Sequence, residues 1–134
     1  HKHVPEMREY AGLAHDPLFA PAVIPAHRGM VVEVPLHLAL IPRAAPTDGL
    51  RDCLIDFYAD SAVVTVHTET PDEILLRTSM APSDRLELWI FGARDGAQAR
   101  LVARLDNLGK GASGAVVQSL NLMAGLPETT GLRL

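Results

Sequence analysis

From Met30 to Leu40 the chain alternates. Met30, Val32, Val34, Leu36, Leu38 and Leu40 fall on one side and Val31, Glu33, Pro35, His37 and Ala39 on the other. A two-residue period over eleven positions predicts a long strand with one face against a core. Leu86 to Ala93 and Ala97 to Leu105 predict a hairpin, because Arg94-Asp95-Gly96 between them supplies turn residues. Ala62 to His67 is β-branched and predicts a short strand, whereas the apolar, Pro-punctuated stretch from Leu18 to Pro25 suits an irregular or edge strand.

Three segments change to helical spacing. Pro5 tolerates a first turn and Glu6 and Glu9 suit its amino end, so a short helix is expected over 5–12. Leu50, Cys53, Leu54, Phe57 and Tyr58 predict an amphipathic helix over 47–59, with Thr47 as its cap and Cys53 as a small core residue on the apolar stripe. The last helix is expected over 108–124, ending at Gly125 with Pro127 beyond. Pro42 to Gly49, Thr68 to Glu73 and Pro82-Ser83-Asp84 read as connections. Strands and helices without a βαβ repeat predict an α+β fold, a mostly antiparallel sheet covered by helices on one face. No Gly-x-Gly-x-x-Gly follows a strand, so no Rossmann fingerprint is present.

Composition narrows the class. The 134 residues suffice for one domain with a core, and 48% hydrophobic against 21% charged residues is ordinary for a globular chain. A net charge of −4 without a basic cluster argues against nucleic acid as a partner, and no apolar run is long enough to span a membrane. The single cysteine excludes an internal disulfide framework and fits a reducing, cytoplasmic setting.

The candidate chemistry lies at the two ends. Asp106 to Ala115 carries Gly109, Gly111 and Gly114, each costing about 1 kcal/mol in a helix interior. Either the backbone there must approach something closely, with helix-start amides and Lys110 suited to negative charge, or this is a Gly-rich turn before a packed helix. His1 and His3, two apart, could face one cleft in extended backbone; the plain alternative is two solvated terminal histidines. With His1 as a free amino terminus, His3 would also complete a square-planar nitrogen set for copper or nickel, an artefact of where the chain begins. Zinc on His1, His3 and His15 lacks compact spacing, and no metal is expected. Arg28 before Gly29 is an anion-binding candidate, or an ordinary solvated arginine at a strand start.

Asp106-Asn107-Leu108-Gly109-Lys110-Gly111-Ala112-Ser113-Gly114, followed by Val117-Gln118-Ser119-Leu120-Asn121-Leu122-Met123-Ala124-Gly125-Leu126-Pro127-Glu128, closely resembles the carboxyl end of N-acetyl-gamma-glutamyl-phosphate reductases. This family is related to the semialdehyde and glyceraldehyde-phosphate dehydrogenases. His1-Lys2-His3-Val4-Pro5-Glu6 is similar to the family's His-basic-His-x-x-Glu segment, and Arg28-Gly29-Met30 to its Arg-Gly-hydrophobic segment. The resemblance implies an NADPH-dependent reduction of an acyl phosphate to an aldehyde, in arginine biosynthesis, by a homo-oligomer. It implies acid/base roles for His3 and then His1, substrate contacts from Glu6, Arg28 and His27, and cofactor contacts from Asn107, Gly109 and Lys110. The reactive cysteine of the family lies before the His-x-His segment, so the chain is expected to be the carboxyl-terminal part of a longer enzyme and inactive alone. Residues 1–105 would form the substrate and dimerisation domain, incomplete at its amino end. Residues 106–134 would pack back on an absent nucleotide-binding Rossmann domain, with Ala115, Val116, Leu120 and Met123 as core or interdomain packing. Two departures stand out. Pro21-Ala22-Val23 replaces a usual Pro-His-Leu, and Arg77-Thr78-Ser79-Met80 replaces a Gly-Ser-Asn-like stretch. The alternatives are a non-catalytic dimerisation module of the same fold, with Glu33 and His37 on a partner-facing strand surface, and an aspartate-semialdehyde dehydrogenase.

Overall fold

The computed structural model describes residues 2–41, 46–76 and 81–134. The alternating segment becomes β1, Met30–His37, closed by a 3-10 turn over Leu38–Leu40. The hairpin forms as β3, Leu86–Gly92, and β4, Gln98–Leu105. Its turn works as its residues require: Gly96 sits at φ +68°, and Asp95 Oδ1 accepts from the Ala97 N–H at 3.0 Å. A short β2, Val64–Val66, runs parallel to β3, and the four strands line up in the order β1-β4-β3-β2 with the other two pairings antiparallel. The helices are α1, Val4–Tyr10; α2, Thr47–Phe57; and α3, Gly114–Met123. This is the α+β class with a mostly antiparallel open sheet, as the pattern predicts.

Register decides which side chains share a face. Met30, Val32, Val34 and Leu36 stand opposite Leu105, Ala103, Leu101 and Ala99, which in turn face Leu86, Leu88 and Ile90 of β3. On this apolar face α2 lays Leu50 and Leu54 against Leu38, Ile90 and Ala99, and Ile90 is wholly enclosed. On the opposite face Trp89 and Val102 are buried. There Arg104 pairs with Glu87 at 2.6 Å, and His67 stacks on the Trp89 indole with ring centres 4.4 Å apart.

Several expectations need correction. Along β1 the apolar side is not sealed: Met30, Val32 and Val34 keep 39–47% of their surface exposed. The reason is position. β1 is an edge strand, and α2 packs on β3 and β2 instead. Cys53 is exposed and not a core residue: of the apolar stripe Leu50 and Leu54 pack against the core cluster, while Phe57 stands 77% exposed. Pro46, not Thr47, is the residue preceding the first turn of α2, and no side chain caps that helix. The segment 18–25 forms no strand; Leu18 and Val23 lie fully in solvent. The last helix begins only at Gly114, after a π-helical turn over Gly109–Ser113. Residues 42–45 of the connection, the Arg77 to Met80 departure, and His1 lie outside the described residues.

Candidate functional site

The backbone ladder between β1 and β4 starts at the Met30–Leu105 pair, and the next two positions are joined by side chains. Asp106 Oδ2 accepts from Arg28 Nη1 at 2.8 Å, and Asn107 Oδ1 accepts from the Gly29 N–H at 2.8 Å. Gly29 adopts φ +107°, a conformation that side-chain-bearing residues rarely take, and so turns the chain off the sheet beside that amide.

Asp106 is the centre of this arrangement. Its side chain has no exposed surface, against 26% for Arg28. Oδ2 also accepts from the Ser83 N–H at 3.2 Å, while Oδ1 accepts from the Leu108 N–H at 2.9 Å, an Asx turn that leads into the Gly-rich segment. Burial pushes the carboxyl up, but hydrogen bonds from the Leu108 and Ser83 amides, the Arg28 guanidinium and the Gly109 amide outweigh it. The net pKa lies below the usual 3.8.

The glycines after Asp106 have a nearby cause. A Cβ on Gly109 would stand 2.2 Å from the Ser83 carbonyl oxygen, and one on Gly114 would overlap the Asp84 carboxylate. The close approach is therefore to the chain's own 83–84 loop. That loop is itself clamped: the Asp84 N–H donates to Arg133 O, and Asp84 Oδ2 accepts from the Arg133 N–H, both at 2.8 Å. The amides that the sequence leaves bare at a helix start are taken, Leu108 by Asp106 and Lys110 by the Ser83 carbonyl at 3.2 Å. Lys110 Nζ donates to Gln118 Oε1, and Gln118 Nε2 to Glu128 Oε1.

The structure thus gathers Arg28, Asn107, Gly109 and Lys110 around the Asp106 junction. His3 stands at the start of the exposed helix α1 and Glu6 in its first turn. His27 is exposed immediately before Arg28. Sequence reasoning missed Ser83, Asp84 and Asp106. The one signal for Asp106 was an Asx residue directly after a predicted strand and before a Gly-rich run. Among the described residues no group of three or more His, Cys, Asp or Glu side chains is placed to hold a metal. None of the described helices is long and apolar enough to cross a membrane.

For a nicotinamide the fit is partial and specific. The Gly29 N–H fixes Asn107 Oδ1, which leaves the Asn107 Nδ2 a donor with no partner among the described residues, the group a carboxamide oxygen requires. Residues for the rest of a dinucleotide, a Gly-x-Gly-x-x-Gly turn above all, are not in this sequence.

Among the described residues the open, mostly antiparallel sheet is an α+β arrangement without the parallel βαβ core of a nucleotide-binding fold. Residues 1–107 match the profile of the semialdehyde dehydrogenase dimerisation domain, and the chain belongs to that family. Its sequence is 44% identical over 126 residues to the N-acetyl-gamma-glutamyl-phosphate reductase of Rhizobium meliloti (strain 1021), covering 92% of this chain and 41% of that protein. It is 42% identical over 139 residues to N-acetyl-gamma-glutamyl-phosphate reductase 2 of Nostoc sp. (strain PCC 7120), covering 98% and 43%. The Trichormus variabilis reductase is 41% identical, again over 98% of the chain and 43% of the relative. The chain therefore spans about two fifths of the length of these curated relatives.

Proposed function

We propose that this chain supplies the substrate side and the assembly surface of an N-acetyl-gamma-glutamyl-phosphate reductase, a cytoplasmic, homo-oligomeric enzyme of arginine biosynthesis. The net reaction converts an acyl phosphate, NADPH and a proton to an aldehyde, NADP and inorganic phosphate. The observation that carries this reading is the Asp106 junction, which sets Arg28, suited to an anionic substrate group, beside Asn107, suited to a nicotinamide carboxamide.

When bound, the nicotinamide supplies the hydride. The acyl group passes first to a cysteine thiol carried by sequence outside these residues, and phosphate leaves. Cys53, exposed on α2, has no part in this. Within the chain, His3 first and His1 second assist thiolate formation and protonate the developing alkoxide. Arg28 holds the substrate's negative charge, while Glu6 and His27 line its approach. Asn107 orients the carboxamide, and Gly109 and Lys110 hold the loop that presents it. Residues 106–134 dock on the nucleotide domain through Val116, Leu120 and Met123, whose exposure of 68%, 60% and 86% leaves an apolar stripe for it.

The test is His3→Ala in the full-length enzyme. Turnover should fall about 10²-fold or more, the usual range for a positioned acid/base. Unchanged turnover would remove His3 from the mechanism. A role in assembly alone is supported by the open apolar side of β1 and by the family's dimerisation domain, and is compatible with the catalytic one. Full-length protein that forms dimers but reduces no acyl phosphate would leave assembly as the only role.

A further inference from the structure

We propose that Asp106 is a positioning residue, which aims the Arg28 guanidinium at the anionic group of the substrate and locks to it the backbone that carries Asn107. This rests on the reductase reading above and adds a residue to it. Three features support the assignment over a plain structural ion pair.

The first is asymmetry. The Asp106 side chain is enclosed completely, while the Arg28 side chain keeps about a quarter of its surface. Nη1 is bound to Asp106; Nε and Nη2 have no partner among the described residues, and neither is a sealed, unsatisfied atom. One nitrogen of the fork is held by the buried carboxylate, and the other two keep donors to offer a further acceptor. A guanidinium anchored at one nitrogen keeps the capacity to bind an anion through the others.

The second is the number of segments held. Donors come from residue 28 before β1, residue 83 before β3 and residue 108 after β4. Neither oxygen can swing toward a substituted partner without releasing another donor, so the carboxylate fixes the direction of the guanidinium. The third is register. The bonds 28–106 and 29–107 lie directly beyond the Met30–Leu105 pair but cross the ladder's register, which would set 29 opposite 106 and 28 opposite 107, so side chains tie the two strand ends together where the backbone ladder stops. Arg28 and the Asn107 amide therefore move as one unit, which places the substrate-side cation at a fixed offset from the nicotinamide-side donor.

The experiment is steady-state kinetics on the full-length protein with Asp106→Asn, alone and with Arg28→Ala. Asp106→Asn should raise the KM for the acyl phosphate about 10-fold or more, with any fall in kcat smaller than that factor. In the Arg28→Ala background it should add little, because both changes remove the same aimed group. Run in reverse, a rise in the KM for inorganic phosphate assigns the contact to the phosphate, and a rise in the KM for the aldehyde assigns it to the α-carboxylate. A lowered melting temperature with both KM values unchanged would reduce Asp106 to a folding role and overturn the proposal. Additive effects in the double variant would overturn it too. Should Asp106→Asn fail to fold, Arg28→Lys keeps a cation on Asp106 but loses the fork. Its KM should rise by about the same factor with melting within a few degrees of wild type, and an unchanged KM defeats the proposal. Wild-type protein with no acyl-phosphate reduction defeats the reductase reading itself, an outcome separate from any of these.

Discussion

Gly109→Ala tests whether the glycines of the tail answer to the chain's own packing. The added Cβ would lie 2.2 Å from the Ser83 carbonyl oxygen and 3.0 Å from both Asp106 Oδ2 and Asp84 Oδ1. A carbon and a carbonyl oxygen need roughly 1 Å more, and the obstacle is backbone, which cannot rotate away. Moving the 83–84 loop breaks the Lys110 N–H bond to Ser83 O and the Ser83 N–H bond to the buried Asp106. A neutral hydrogen bond contributes about 1 kcal/mol and one to a charged group about 1.5–3 kcal/mol. Against this, Ala gains at most about 1 kcal/mol over Gly in helical backbone. The expected net loss is about 2–3 kcal/mol, a fall in melting temperature of roughly 6–15 °C for a chain of this size. Two residues on, Gly111→Ala is the control. Its Cβ meets the tip of Leu105 at 3.3 Å and the Asp106 carbonyl at 3.4 Å, so only a flexible side chain must give. It should stay within about 1 kcal/mol of wild type. Urea and thermal unfolding of the 134-residue chain, followed by circular dichroism, measure both. Equal stability of the two variants, or a Gly109→Ala chain as stable as wild type, would refute close packing as the reason for glycine here.

Asp106 also makes a pH prediction. Its folded pKa lies below the usual 3.8, so its stabilisation is fully present above about pH 5 and is lost as pH falls through the ordinary carboxylate range and below it. Urea midpoints from pH 7 to pH 3 should therefore fall more steeply for wild type than for Asp106→Asn, and parallel curves would contradict this. His67→Ala uncovers the only tryptophan, so Trp89 emission should shift to the red and acrylamide quench it more strongly, with a stability loss of about 1 kcal/mol. An unchanged spectrum would mean that the stack does not shield the indole. Leu120→Glu on the exposed side of α3 should leave the stability of this chain within about 0.5 kcal/mol, yet weaken docking of the nucleotide-binding domain in the full-length protein, seen as earlier proteolytic separation of the two halves.

The elements legible in the sequence are those set by local chemistry. A two-residue apolar period marked β1, and Asp95-Gly96 marked the β3–β4 turn because few other residues accept φ +68° so cheaply. Leu50 and Leu54 placed α2, and the motifs at both ends marked the family that residues 1–107 match. What tertiary structure alone decided is which faces are covered and which polar groups meet. Alternation states that a strand has two sides, not whether a helix lies over one of them. So β1 became an exposed edge, and Cys53, on a recognisable stripe, faced solvent. The site followed the same rule. Arg28 and Asn107 drew notice for their chemistry, yet the residue that joins them, Asp106, is 78 positions from Arg28 and shows its role only where the start of β1 meets the end of β4. A buried carboxylate is defined by the donors that surround it, and those come from segments that only the folded chain brings together.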